Sequence, residues 1–393
     1  MPEVWSTVCG PSSPLKQQPA WLVGGCVRDH LLGRPVKDYD LVVDAAVWPL
    51  AEMLAQTLNA SCFWLDRERE VARVASSTLA FHVDLCRLNG ASLAEDLRRR
   101  DFTINAIACD LSGEAFIDPL NGRADLQAGL IRLVSDQAIN DDPLRSLRGL
   151  RFSLLPGFRL EESTAQAIRA ATGLLNAVAA ERIRQELLAA LRLSSRIFEL
   201  LGDYGLLEAV LGLRSGNLEA LLLGEQLLES GRLDGSAEHF VQEIEGEVSR
   251  AELLKVCLFC GEAAEDTLRR LKFSRRSRKL AATLKRQLAA FESDTASDSL
   301  KRYRWLRDAA DCAPELLVAA HCRGQLPELD VLWAYYRQEF SALRPLITGA
   351  DLTGFEGPAV GRILRQALEL QAVGRLTNRE QALAWLADPG PNL

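Results

Sequence analysis

The chain has no apolar run approaching the roughly 18 residues that a membrane-crossing helix needs, and no opening segment in which a basic start leads into an apolar core. Met1 to Pro19 is polar and turn-rich, so neither a signal peptide nor a membrane anchor is expected, and the expected location is cytoplasmic. Nine cysteines show no repeating spacing, which excludes a disulfide-stapled scaffold and reads as reduced, mostly buried thiols. The lone Cys257-Leu-Phe-Cys260 lies in a helical apolar pattern, and Cys312, His321 and Cys322 do not complete a second pair, so no zinc site is expected. Positive charge is not in excess either: a net charge of −7 excludes a uniformly basic nucleic-acid binder. Internal repeats and low-complexity linkers are missing.

What is present is apolar content, 48% of 393 residues, sufficient for the cores of two or three compact units. Charge is unevenly spread. Residues 269 to 307 hold thirteen Lys and Arg against three acids, a local net of +10, with Tyr303 and Trp305 interleaved.

The chain is organised around residues 20 to 44. Ala20 to Val23 is a short apolar run broken by Gly24-Gly25, Val27 to Leu32 has helical spacing, and Gly33-Arg34-Pro35 stops it before a second apolar run. The spacing predicts strand, helix, strand. Asp38 and Asp40 lie two apart on the second strand, so their side chains face one way and Tyr39 the other. Paired carboxylates repel unless a cation joins them, and hard oxygen donors at this spacing suit Mg²⁺. The glycine pair lets backbone approach a phosphate closely, and Arg28 follows in the first helical turn, within reach of the same anion.

This stretch resembles the first motif of the class II tRNA nucleotidyltransferases, or CCA-adding enzymes, and of the bacterial poly(A) polymerases, within the DNA polymerase beta-like superfamily. Further segments agree. Arg100-Asp101-Phe-Thr-Ile-Asn-Ala resembles the second family motif, which implies that Arg100 holds the triphosphate and Asp101 meets the ribose. Asp118-Pro-Leu-Asn-Gly122 resembles the third, a hinge with a structural role. Asp141-Asp-Pro-Leu-Arg-Ser-Leu-Arg-Gly-Leu-Arg-Phe152 resembles the base-reading motif, with Asp142 and Arg145 as the pair that reads the incoming base. Asp141 stands where the family usually has glutamate.

On residue spacing alone, Pro143 suits a first helical position and Asp142 a cap. Arg145, Arg148 and Arg151 then form one ridge facing a polyanion, beside an anchoring ridge of Leu144, Leu147 and Leu150. Glu181 to Leu187 looks like a further family motif whose charges brace that helix, a pattern that a solvated face would share. In the strand expected over Phe81 to Cys86, Asp84 shares a face with His82. It is a candidate third catalytic carboxylate, or else a solvent-facing residue.

The resemblance implies an α+β protein with a polymerase-beta-like nucleotidyltransferase head over residues 17–134, after an N-terminal extension at 1–16. An all-helical neck (135–200), RNA-binding body (201–335) and tail (336–393) follow. The implied activity is template-independent transfer of CMP and AMP from CTP and ATP to the tRNA 3′ end by a two-metal mechanism, with Asp38 and Asp40 as ligands of two Mg²⁺. Gly24, Gly25, Arg28, Arg100, Asp101, Asp142, Arg145, Arg148 and Arg151 are the implied nucleotide-binding residues. No His-Asp dipeptide occurs, so the phosphohydrolase domain of some relatives is not expected. Only eight residues separate Arg87 from Asp96, where full CCA-adding relatives carry a longer flexible loop; members that stop after two cytidines lack it. CC-only addition, A-only addition, poly(A) synthesis and a non-catalytic RNA-binding role stay open.

Overall fold

Short apolar runs bounded by glycine and turn residues build the first half of the chain into a sheet. The computed structural model describes residues 8, 10, 13–36, 38–75, 81–246 and 248–387. Most of the N-terminal extension expected at 1–16 and the last six residues of the tail lie outside the described residues. The described part divides into two compact units, residues 1–209 and 210–393.

The first unit is built on a seven-stranded sheet. Its strands are β1 (Ala20–Val23), β2 (Asp38–Val43), β3 (Ser61–Asp66), β4 (Val71–Ala75), β5 (His82–Arg87), β6 (Ala108–Asp110) and β7 (Phe116–Ile117), in the order β3-β4-β5-β2-β1-β6-β7. Among the described strand pairs of this sheet, only β2–β5 is parallel. Helix α1 (Gly25–Leu31) links β1 to β2, and α2 (Val47–Leu58) links β2 to β3.

Alternation along β2 sorts its side chains. Tyr39, Leu41 and Val43 join Leu22, Val27, Leu50 and Leu54 in the main core beneath α1 and α2. Val42 faces the other way, into a smaller cluster with Val23, Leu93, Leu97, Ala106 and Ala108. Asp38 and Asp40 share that second face. Leu93 and Leu97 come from α3 (Leu93–Arg98), whose N-cap Ser92 accepts from Glu95 N.

Behind the sheet, α4 (Gly122–Ala128) ends at Gly129, which leads into β8 (Leu130–Ile131), paired in parallel with β9 (Arg159–Leu160). Gly129 has φ +64°, and a Cβ there would lie 2.0 Å from the Gly157 carbonyl oxygen. Between β8 and β9 runs α5 (Arg145–Ser153), which packs on α6 (Ala180–Leu193). Leu144, Leu147 and Leu150 are buried, as the leucine ridge requires. The helix begins at Arg145, not at Pro143: Pro143 and Leu144 form a preceding turn closed by Asp142, whose Oδ1 accepts from Leu144 N at 3.2 Å.

The second unit is helical, with α7 (Arg250–Cys260), α8 (Arg275–Ala289), α9 (Ser299–Ala309), α10 (Ala313–Cys322) and α11 (Pro358–Ala372) among its helices. It is not all-helical as expected: Glu243–Glu245 and Val248–Ser249 form a two-stranded hairpin. Strands of three and two residues are too short to show a period in sequence. Cys257 and Cys260 are buried in α7.

Replacing Gly129 by Ala puts a side chain on a left-handed backbone and against a carbonyl oxygen. Its expected cost is about 2 kcal/mol or more in urea unfolding. A loss below about 0.5 kcal/mol would show that the β8–β9 junction tolerates the displacement.

Candidate active site

A cleft of about 570 Å³ in the first unit gathers eleven of the twelve side chains and backbone segments singled out from sequence: Gly24, Gly25, Arg28, Asp38, Asp40, Arg100, Asp101, Asp142, Arg145, Arg148 and Arg151. Asn105, Leu144, Phe152 and Arg182 complete its lining. Six arginines therefore face four aspartates. Asp84 is the one candidate outside the lining.

The β2–β5 pairing sets the carboxylates. Parallel register places Asp38 abreast of His82 and Asp40 abreast of Asp84. The Asp38 carboxylate is 64% exposed and lies 3.0 Å from His82 Nε2. Asp40 is more enclosed. Burial, then the charge of Asp84, pushes its carboxyl up to about 6, while Arg100 pulls the other way. Asp84 gives both oxygens to Arg73 of β4, at 2.7 and 2.8 Å, so it is neither solvent-facing nor free.

Two carboxylates on one strand face, carrying partly uncompensated negative charge at the cleft, suit a hard divalent cation that completes its shell with water and phosphate oxygens. Among the described residues, no group of three or more His, Cys, Asp and Glu is arranged to hold a metal by itself. The donor set therefore fits an ion shared with a phosphate ligand.

Gly24 is the constrained member of the glycine pair. It caps α1 with φ +72°, and a Cβ would sit 3.0 Å from Arg100 Nη1 and 3.5 Å from Asp40 Oδ2. A side chain at this point would crowd the Arg100 guanidinium and lie in contact with the Asp40 carboxylate. Gly25 shows no such strain.

Each arginine is held by its own partners. Arg28 donates to both oxygens of Asp29, at 2.9 Å each, and to Asn105 Oδ1 at 2.8 Å. Arg100 pairs with Asp96 at 3.2 Å, and its Nε is buried without a hydrogen-bond partner. Arg145 donates to the carbonyls of Ala138 and Arg99, at 3.1 and 2.6 Å. Arg148 donates through Nε and Nη2 to Asp101 Oδ2, at 2.9 and 2.7 Å, and Arg151 donates to Glu186. The arginine ridge is thus partly satisfied inside the protein: Arg148 and Arg151 face carboxylates first, and the cleft second.

Asp101, expected to face a ribose, is buried and engaged within the chain. Its Oδ1 accepts from Phe102 N at 2.7 Å and from Asn105 Nδ2 at 3.0 Å, and its Oδ2 accepts from Arg148. Burial alone would raise its pKa, but Arg148, Asn105 and the Phe102 N–H together hold it below the usual carboxylate range. Asp142 accepts from both terminal nitrogens of Arg182, at 3.3 and 2.7 Å. The bracing read from Glu181 to Leu187 is therefore present at Arg182 and Glu186, in place of a solvated face.

Several contributors carried no assignment from sequence. Asn105 bridges Arg28 to Asp101, and its signal was its place inside the quoted Asp-Phe-Thr-Ile-Asn segment. Phe152 sits beneath three guanidinium carbons, those of Arg151, Arg28 and Arg148, at 4.3, 5.1 and 5.6 Å from the ring centre. Arg73 had no local signal, because only the β4–β5 register brings it to Asp84.

The short link between β5 and α3 is tied down. Asn89 N donates to Asp96, Ala91 N donates to Glu95, and Arg99 reaches back to Asn89 Oδ1 at 2.8 Å.

In the second unit, the basic stretch is less exposed to a polyanion than its charge suggests. Tyr303 and Trp305 are buried, with Trp305 Nε1 donating to the Gln287 carbonyl, so neither ring is offered to a base. Lys301 pairs with Glu292 and Asp294, Arg304 and Arg307 with Glu369, and Arg269 with Glu265 and Asp266. Exposed basic residues remain on α8, at Arg275, Arg276, Lys279, Lys285 and Arg286.

Comparison with known proteins gives this arrangement a family. Residues 20–132 match the "Poly A polymerase head domain", and residues 157–212 match the "Probable RNA and SrmB- binding site of polymerase A". A CC-adding tRNA nucleotidyltransferase of Geobacter sulfurreducens is 32% identical over 94% of this chain and 91% of its own. An A-adding tRNA nucleotidyltransferase of Deinococcus radiodurans is 31% identical over 93% and 94%. The fold matches that of a Thermotoga maritima CCA-adding enzyme solved with tRNA, with a TM-score of 0.74 at 21% identity, over 99% of this chain and 96% of that one. With near full-length similarity above 30%, the chain belongs to the class II CCA-adding enzyme and bacterial poly(A) polymerase family and is a nucleotidyltransferase.

Proposed function

We propose that this protein adds cytidines to the 3′ end of tRNA without a template. The observation that carries the reading is the convergence of Asp38 and Asp40 with Arg28, Arg100, Asp142 and Arg145 in one cleft. The terminal ribose 3′ hydroxyl loses its proton to solvent and its oxygen forms the new bond to the α-phosphorus of CTP, while the bond from that phosphorus to the oxygen bridging to the β-phosphorus breaks and pyrophosphate leaves.

Asp38 and Asp40 would hold Mg²⁺, which when bound supplies charge neutralisation at the phosphates and acidifies the attacking hydroxyl. Arg28 and Arg100 grip phosphate oxygens, since planar guanidinium forks match them and both are aimed by carboxylates behind them. Asp142 accepts from an exocyclic amine, and Arg145 donates to ring nitrogen and carbonyl acceptors. Arg182 fixes the direction of the Asp142 carboxylate. Asp101 acts behind this layer, aiming Arg148 and Asn105.

Addition limited to cytidine draws support from the tied link over residues 88–92, which takes the place of the family's flexible loop, and from the CC-adding relative. The A-adding relative of similar identity supports a second reading, in which adenosine alone is added. Purified protein with Mg²⁺ and labelled CTP or ATP would separate them, using tRNA that lacks either the whole terminal triplet or only its adenosine. Two cytidines and a stop are expected. Adenosine added only after an existing CC would select the second reading, long A tracts would indicate a poly(A) polymerase, and no incorporation would overturn the transfer reading.

Two substitutions test the assigned roles. Asp40→Asn is expected to reduce transfer by about a thousandfold or more. Its thermal midpoint should not fall, because removing one of three crowded carboxylates relieves repulsion; wild-type activity would move the metal site elsewhere. Arg145→Ala is expected to lower the preference for CTP over UTP by about tenfold or more, with less effect on the KM for the triphosphate. An unchanged preference in competition assays would remove Arg145 from base reading.

A further inference from the structure

The face of the sheet that carries Asp38 and Asp40 is covered unevenly. Over β1, β2 and β6 it is closed by Leu93 and Leu97 of α3. Toward β3, the edge strand, large apolar side chains are left open: Phe63 and Leu65 are each 46% exposed.

Register shows that this bare area is continuous with the cleft. Phe63 pairs with Arg73, Arg73 with Asp84, and Asp84 with Asp40, so the four side chains form one row across four strands on a single face. The ion pair between Arg73 and Asp84 confirms that they share that face. The opposite orientation is taken by Trp64, which stacks on Trp48 of α2 at 4.8 Å between ring centres and packs against the main core. Leu65 follows Trp64 at a bulge and projects outward again. Three inter-strand spacings separate Phe63 from Asp40, roughly 14 Å.

An aromatic ring lying open on a sheet face, in line with paired carboxylates that await a ribose hydroxyl, has the chemistry of a stacking platform for unpaired bases. From these observations we propose that Phe63, with Leu65 beside it, holds the single-stranded 3′ end of the RNA substrate, stacking a base upstream of the terminal nucleotide while the terminal ribose lies at Asp40. The Arg73–Asp84 pair fills the space between ring and catalytic acids with charges that neutralise each other. The strand therefore crosses a part of the sheet without net repulsion on its way to Asp40. This inference rests on the reading that the chain extends RNA 3′ ends. It adds a primer site distinct from the triphosphate site around Arg28 and Arg100.

The test compares wild-type protein with Phe63→Ser and Phe63→Tyr in steady-state extension of tRNA lacking its terminal triplet. Binding is followed in parallel with an RNA oligonucleotide of that 3′ sequence carrying a fluorescent purine upstream of its terminal nucleotide. Phe63→Ser is expected to raise the KM for RNA about tenfold, the loss of one stacked base, and to abolish quenching of the fluorescent base. The KM for CTP should stay as in wild type, and Phe63→Tyr should restore both RNA readouts. Because Phe63 is exposed, an unchanged thermal midpoint is expected to show that folding is intact. Unchanged RNA KM and quenching in Phe63→Ser, with wild type active, would overturn the platform while leaving the transfer reading in place. Wild type that extends no RNA would remove both. If sedimentation shows a wild-type dimer that Phe63→Ser converts to monomer, the face is an interface between copies, and the proposal falls.

Discussion

The candidate site depends on one buried carboxylate. Asp101 lies between the sheet and the helix Arg145–Ser153, and its two oxygens accept four hydrogen bonds, from Phe102 N, Asn105 and two nitrogens of Arg148. A charge taken out of water at such a point is tolerable only when fully paired, and removing a partner typically costs about 3–5 kcal/mol. Its pairing fixes the position of α5 relative to β1 and β2. From Asp101 the network runs one way through Asn105 to Arg28 and Asp29, and the other through Arg148 to Glu186 and Arg151.

This network changes how the cleft's positive charge is understood. Six arginines at one site repel each other, and each loses rotamer freedom if it is to wait for a ligand in one pose. Carboxylates address both problems: they offset the repulsion and set the direction of every fork but that of Arg145, which backbone carbonyls hold. Phe152 adds a third restraint, since its ring attracts three guanidinium groups without competing for their hydrogen bonds to phosphate. Order of this kind reduces the entropy lost when a triphosphate binds.

The opposite sign prevails at Asp38, Asp40 and Asp84. There the β2–β5 register stacks acids side by side, and Arg73 and His82 compensate them only in part. Negative charge is left on the one strand face where a divalent ion and a phosphate chain would meet, while positive charge lines the far wall.

Much of this was legible in the sequence because it depends on short-range geometry. Side chains two apart on a strand share a face, and residues three apart on a helix make a ridge. For that reason Asp38, Asp40, the leucines of α5 and the glycine turn before α1 could be placed from order alone. Tertiary structure decided what those groups face. Arg148 and Arg151 belong to a ridge that sequence aims at a polyanion, but packing against Glu186 and Asp101 gives them internal partners first. Tyr303 and Trp305 look available beside so many basic residues, yet they are core. Arg73 reaches Asp84, and Phe63 joins the row of Asp40, only through the pairing of β3, β4 and β5. Local periodicity specifies which way a side chain points along its own element; it holds no information about which element arrives opposite, since that is set by register and burial over the whole sheet.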